Sequence, residues 1–198
     1  MKRHRQNRGR KLLFTVLILG AVGSLAGIGT FSAFSSTTTN PDNNFTAGTV
    51  YLTDNDANTR MYNVTNAKPG DSATGCITVT YGGTLPSTVK LYGSGVAAAL
   101  GPYVNLKVEQ GSVPPATPFN DCSSFSATGT LYDSAIGSFP TTYAAGISTN
   151  PGAGQWVNGD SLSYRFTVTL ADDNNANGQG AGQLSTGLHS YTWEARNV

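Results

Sequence analysis

Glutamate is nearly missing from this chain: Glu109 and Glu194 are the only two among its 198 residues. Alanine-rich windows are short as well, so the strong helix formers that would build a helical domain are scarce. Histidine is equally rare. His4 lies in the basic N-terminal stretch, which leaves His189 alone in the rest of the chain. No H-E-x-x-H occurs, so the two histidines and the glutamate of the usual zinc-protease helix are lacking. No G-x-S-x-G occurs either, although a serine triad assembled from distant segments is not addressed by spacing. No Asp or Glu precedes Asp42, whereas six of the 12 Lys plus Arg fall within the first eleven residues.

Those six cations (Lys2, Arg3, Arg5, Arg8, Arg10 and Lys11) precede a 17-residue apolar run from Leu12 to Ile28. The small residues Gly29-Thr30-Phe31-Ser32-Ala33 follow. A basic end, an apolar middle and a small-residue exit is the order of an export leader. The run falls short of a comfortable bilayer span of about 20 residues and is diluted by Gly20, Gly23, Ser24 and Gly27. The expectation is a signal peptide over residues 1–32, cut near Ser32/Ala33, with a cut after Ala33 as the competitor and an uncleaved anchor as the alternative. Basic residues stay on the cytoplasmic side, so the rest of the chain is delivered outward. It is therefore expected in the extracellular space or at the cell surface of a bacterium, expected to be Gram-positive, with signal peptidase as a transient partner and the leader as the one membrane contact.

Removing the leader changes the charge. Arg60, Lys68, Lys90, Lys107, Arg165 and Arg196 remain against all 11 acids, a net charge of −5. No basic patch survives to neutralise phosphates, which excludes nucleic acid as a partner. About 165 residues are enough for one domain with a real core. The chain has two cysteines, Cys76 and Cys122, with 45 residues between them. In an oxidising compartment an even pair reads first as a disulfide, with two buried thiols as the alternative.

The periodic segments have period two, which places alternate side chains on opposite faces of a strand. From Leu162 to Leu170, Leu162, Tyr164, Phe166, Val168 and Leu170 point one way and Ser163, Arg165, Thr167 and Thr169 the other. The same alternation runs through Val50–Leu52, Cys76–Tyr81, Val89–Leu91, Val104–Glu109 and roughly Leu188–Ala195. Turn signals such as Lys68-Pro69-Gly70-Asp71 and Asn158-Gly159-Asp160 separate them. The predicted fold is all-β: a single antiparallel β-sandwich, jelly-roll-like, over residues 45–198, preceded by a flexible arm over 33–44. One helical turn each is predicted in Ser94–Leu100 and Thr130–Phe139, and Ser112–Ser126, with three prolines, is predicted to be irregular.

For cofactors, none is expected beyond a weak case for calcium. Asp173, Asn175 and Asn177, followed by Gly178, fit the opening D-x-N-x-N-G of a calcium loop, but its twelfth position is Leu184 rather than a bidentate Glu. Asp54-Asn55-Asp56-Ala57-Asn58 is a second partial match without the glycine. His189, sharing a strand face with Tyr191 and Trp193, reads as a packing residue.

Several segments, in order, resemble one family. Gly29-Thr30-Phe31-Ser32-Ala33-Phe34 is similar to the signal-peptide end of TasA and camelysin-type proteins. Asn44 to Leu52 (Asn-Phe-Thr-Ala-Gly-Thr-Val-Tyr-Leu) resembles their first mature strand. Asn66-Ala67-Lys68-Pro69-Gly70-Asp71 resembles their L-K-P-G-D turn, with Ala67 in place of a larger apolar residue. Gly83-Thr84-Leu85 leading into Val89-Lys90-Leu91, and at the far end Arg165–Leu170, Asp172–Gly180 and Tyr191–Ala195, complete the likeness and leave Gly93 to Gln155 mostly unmatched.

The TasA/camelysin resemblance implies a jelly-roll-like domain, a leader processed by a SipW-type signal peptidase, and a secreted structural role as in biofilm-matrix fibre subunits. It also implies self-association, or association with other matrix proteins, in which the mature N-terminal segment completes a neighbour's sheet. Phe45, Val50 and Leu52 are then the candidate anchors of the donated strand; the competing expectation is that Phe45–Leu52 forms an edge strand of its own domain. Other members carry a metallo-endopeptidase label, for which the zinc ligands are missing here, so no catalytic residues are assigned and no enzyme is expected. A carbohydrate-binding module, with Tyr51, Tyr81, Tyr92, Tyr103 or Tyr143 stacking on sugar rings, is the remaining alternative.

Overall fold

The computed structural model describes residues 9, 11–19, 44–96, 99–152, 154–172 and 184–198. The chain divides into two compact units, Met1–Phe45 and Thr46–Val198. In the first, residues 11–19 form a helix whose apolar side chains, Leu12 to Leu19, are exposed. Among the described residues no helix is long and apolar enough to cross a membrane.

The second unit is an antiparallel β-sandwich. Its strands are β1 (Leu52–Asp54), β2 (Ser72–Tyr81), β3 (Ser87–Ser94), β4 (Val104–Ser112), β5 (Ser126–Ala135), β6 (Ile147–Thr149), β7 (Ser161–Leu170) and β8 (Ser190–Asn197). One sheet has the order β1-β2-β7-β4-β5 and the other β6-β3-β8. The alternation of β7 is realised from Tyr164 onward: Tyr164, Phe166, Val168 and Leu170 are buried, while Arg165, Thr167 and Thr169 lie between them on the outer face; before it, Leu162 is only partly buried and Ser163, expected on the wet face, is buried. β2 and β4 flank β7, with Ile77 opposite Tyr164 and Val108 opposite Phe166, so the inner faces of three adjacent strands form one apolar floor. Trp193 and Tyr191 of β8 close on it from the other sheet, with the Phe166 ring 4.4 Å from that of Tyr191. Trp156 is fully buried; it bridges to Ser87 and donates its indole N–H to the Thr149 carbonyl, tying β3 to β6.

The helical turn predicted in Thr130–Phe139 is present as the 3-10 helix Ile136–Ser138, after strand that runs through Ala135; the turn predicted in Ser94–Leu100 is corrected, since the 3-10 helix follows that segment, at Gly101–Tyr103. Partnering by β4 overrides the weak local preference of β5. The proline-rich segment is irregular, as its three imino residues require, between β4 and β5.

On the outer face of the larger sheet, Cys76 and Cys122 form a disulfide with a Cα–Cα distance of 5.5 Å. It fastens the irregular segment beside the unpaired flank of β2. There Asn120 donates its N–H to the Cys76 carbonyl (2.9 Å), and its Oδ1 accepts the Cys76 N–H (3.2 Å). Glu109 is buried on the same face, held by Arg165 at 2.8 Å and Lys107 at 3.0 Å.

Candidate functional site

A cleft of about 850 Å³ opens at one end of the sandwich. Its floor is the apolar face just described, including Ile77, Val79, Val168 and Leu170. Its rims are strand edges. Leu52, Thr53 and Asp54 all border it, and so do Ser190, Tyr191, Thr192 and Trp193. Consecutive residues of a strand point to opposite faces, so a cavity touched by both sets runs along the strand's edge and not only its inner face. β1 and β8 are the last strands of their respective sheets, which places the cleft between two strand edges that lack a neighbour among the described residues.

The irregular segment 59–67 forms a wall and brings Tyr62 to the start of β8. The Tyr62 hydroxyl lies 2.7 Å from His189 Nε2 and 2.6 Å from the Tyr191 hydroxyl. His189 Nδ1 lies 3.2 Å from the Gly187 carbonyl. A carbonyl accepts only, so Nδ1 carries the proton and Nε2 accepts from Tyr62, which accepts in turn from Tyr191. Burial pushes the Tyr62 phenol up to about 12, against the opposing effect of the hydrogen bond from Tyr191. Burial also raises Tyr191, helped by the Tyr62 charge and by the proton Tyr191 donates. Both phenols are held neutral, and the chain is a positioning device for the cleft wall.

A catalytic zinc takes three protein ligands and an open position. Among the described residues no three His, Cys, Asp or Glu side chains converge. Both cysteines are in the disulfide, and both His189 nitrogens are engaged by Tyr62 and Gly187. The described residues therefore do not fit a zinc centre.

The other expected site residues fall as follows. Asp173, Asn175 and Asn177 lie outside the described residues. In the second calcium-like match the acids serve their own loop: Asp54 Oδ1 accepts the Asp56 N–H (3.1 Å), Asp56 Oδ1 accepts the Asn58 N–H (2.6 Å), and Asn55 Oδ1 accepts the Thr78 N–H (2.9 Å). Burial raises Asp54 above the ordinary carboxylate range; the Asp56 N–H opposes this and the Asp56 carboxylate adds to it. Of the strand anchors, Leu52 pairs with Tyr81 inside its own sheet, and Thr49 is hydrogen-bonded to Thr84 and Leu85. Val50 is partly exposed and Phe45 is 95% exposed. Among the tyrosines, Tyr81 is fully buried, Tyr92 donates to Glu194 and Tyr143 lies under the Arg196 guanidinium at 3.8 Å; Tyr51 is exposed and Tyr103 half-buried.

No curated protein matches the chain. The match that is found ends at the last residue of β3 and so takes in Tyr62 but not His189 or Tyr191. Residues 9–94 match the family model described as camelysin metallo-endopeptidase, which is the family, TasA/camelysin, that the motifs of this chain resemble.

Proposed function

We propose that this protein is a secreted structural subunit of the bacterial cell surface or extracellular matrix, and that it associates with further copies by strand addition. The observation that carries this is the cleft between the β1 and β8 edges, whose floor is the domain's own apolar core. An extended segment laid along β8 gains main-chain hydrogen bonds from the strand edge, and its alternate side chains drop onto Val168, Leu170 and Trp193. The donated segment is the stretch before Thr46, because Thr49 to Asp54 is already bound to its own domain. Phe45 is the anchor available for this: it is apolar, large and 95% exposed. Val50 and Leu52 then act as the fixed root of the donor and not as its inserted side chains. In this reading the leader delivers the chain outward and is removed near Ser32/Ala33, and the work of the domain is association without bond cleavage. The carbohydrate reading has narrower support, since of its five tyrosines only Tyr51 is exposed.

The test is the protein recovered from the medium after expression of the full chain, viewed by negative-stain electron microscopy. Fibres are expected from the parent, and their loss on deleting residues 33–44 or on Phe45→Ala. Because Phe45 is exposed, its replacement leaves the fold intact. Fibres unchanged in both variants would remove the donor role, and a parent that never polymerises would remove the structural role.

A further inference from the structure

The hydrogen-bonded series Tyr191–Tyr62–His189 has a fixed direction, and that direction suits one protonation state only. With a neutral imidazole there are three hydrogens to place: on His189 Nδ1, on Tyr62 and on Tyr191. Three acceptors meet them, the Gly187 carbonyl, His189 Nε2 and the Tyr62 oxygen. An imidazolium carries a further hydrogen on Nε2. The two links at the Tyr62 oxygen, 2.7 Å to Nε2 and 2.6 Å to the Tyr191 oxygen, hold one hydrogen each. Three hydrogens then compete for two links, and one is left over.

The leftover hydrogen has no polar place to turn. The Tyr191 ring lies 4.4 Å from that of Phe166 and 5.6 Å from that of Phe139. Among the described residues its hydroxyl has no partner but Tyr62. An orphaned polar hydrogen in such surroundings costs its full desolvation. Nor does a neighbouring charge absorb the imidazolium. Arg60 borders the same cleft and is itself a cation. Asp54, Asp56 and Asp71 border it too, and each accepts a backbone N–H of its own loop, from Asp56, Asn58 and Lys68. Glu194 of β8 is taken by Arg196 and Tyr92. Gly95, which lies against the backbone of Leu188 and His189, brings no titratable group. Among the described residues no carboxylate forms an ion pair with His189.

Tyr62 is also where the wall of the cleft is attached. Asn63 to Lys68 are all exposed, so Tyr62 is the last side chain of the segment to reach inward before Pro69. The residue before it, Met61, is held by its carbonyl, which accepts from Asn120 Nδ2 at 2.9 Å. Met61 is thus a fixed point, and the stretch beyond it depends on the Tyr62 hydroxyl and ring. Segments with so few buried contacts open at low free energy.

We propose that Tyr62, His189 and Tyr191 form a proton-released latch, in which protonation of His189 frees Tyr62, lets the wall beyond Met61 lift from β8 and uncovers the apolar floor of the cleft. Imidazole is the side chain whose ordinary titration falls between about pH 5 and about pH 8, so mild acid is the signal. The wall is held when His189 is neutral and released as pH falls. The latch belongs to the single domain and does not rest on strand addition.

Trypsin reads it directly, because the exposed Arg60 puts a cleavable bond, Arg60–Met61, at the foot of the wall. The protein expressed from the full chain and its Tyr62→Phe variant are digested side by side at each pH, and the Arg60 cut is followed by mass. Their ratio cancels the pH dependence of the protease. At about pH 8 the parent is expected to be cut at least about fivefold more slowly than Tyr62→Phe, and by about pH 5 the two should be cut alike. His189→Gln keeps an acceptor for Tyr62 and takes up no proton, so it should stay slow at both values. A parent-to-variant ratio that is the same at both values, or a His189→Gln protein that loses its protection in acid as the parent does, overturns the proposal. If circular dichroism shows that His189→Gln misfolds, the ratio of parent to Tyr62→Phe decides alone.

Discussion

Tyr62 donates its hydroxyl proton to Nε2 of His189 across 2.7 Å, joining the irregular wall of the cleft to the root of β8. Tyr62→Phe removes that donor and also the acceptor for Tyr191, whose hydroxyl is 2.6 Å away. Two half-buried polar groups then lose their partner. The expected cost is about 1–3 kcal/mol in urea unfolding. His189→Phe leaves the Tyr62 hydroxyl able to turn to Tyr191 and should cost less. A Tyr62→Phe variant as stable as the parent would mean that the three side chains are not coupled.

The same phenols set the alkaline limit of stability. Burial holds Tyr62 at about 12, above the value near 10 of an unfolded tyrosine. A group whose folded value is raised contributes its full stabilisation below the unfolded value and loses it as pH rises through the folded one. The unfolding free energy should therefore decline from about pH 10 upward, and less steeply in Tyr62→Phe. Urea titrations between pH 9 and about 12 measure this; parallel curves for the two proteins would assign the decline to other groups.

How far the sequence discloses the molecule depends on whether a strand has one wet face. β7 does, and its alternation holds residue by residue from Tyr164 to Leu170, failing only where Ser163 is buried beside a half-buried Leu162. β5 does not: Ser126 to Thr130 are exposed on both faces, so there is no period to read, and small polar residues with a glycine resemble a loop. β6 is too short for any pattern. The cleft was partly legible. His189, Tyr191 and Trp193 stand out at alternate positions near the C-terminus, but Tyr62 sits in the irregular segment 59–67, where no period marks it, and only the fold brings it to within hydrogen-bonding distance of residues 127 and 129 positions away. The plug by Asn120 has no sequence signature either, because it depends on where the disulfide lays the proline-rich segment.

Acid acts through Glu109. Burial pushes its carboxyl upward, but hydrogen bonds and charge from Lys107 and Arg165 outweigh that and hold it below the ordinary carboxylate range. A carboxylate lowered in the folded state stabilises fully above its unfolded value and loses that contribution as pH falls through the folded one. Stability should thus fall below the ordinary glutamate value near pH 4.3. Arg165→Met, which removes the charge and with it the guanidinium that lies 4.8 Å from the centre of the Phe125 ring, should flatten this acid limb and cost about 1.5–3 kcal/mol at neutral pH. An unchanged acid limb in Arg165→Met would locate the pH sensitivity elsewhere.

Reducing the Cys76–Cys122 bridge has two separable consequences. The sequence separation of 46 gives about 4 kcal/mol by chain entropy, so the midpoint of urea unfolding should drop sharply in reductant and in Cys76→Ala/Cys122→Ala. The second consequence is local. Asn120 is held against β2 only two residues before Cys122, and its amide fills the place that Gly75 keeps open: a Cβ at residue 75 would lie 2.8 Å from Asn120 Oδ1 and 2.7 Å from Met61 Cβ. With the bridge gone, the segment can lift and bare the flank of β2 from Ser72 to Cys76, an edge that invites non-specific pairing. Light scattering on the reduced protein below its unfolding midpoint should therefore report aggregation that the oxidised protein lacks. Asn120→Gly with the bridge intact separates the two effects, because glycine accepts the φ of 65° at residue 120 and the change unplugs the edge without releasing the chain entropy. It should aggregate while unfolding near the parent midpoint, and a soluble, well-behaved Asn120→Gly would mean that the amide is not what protects β2.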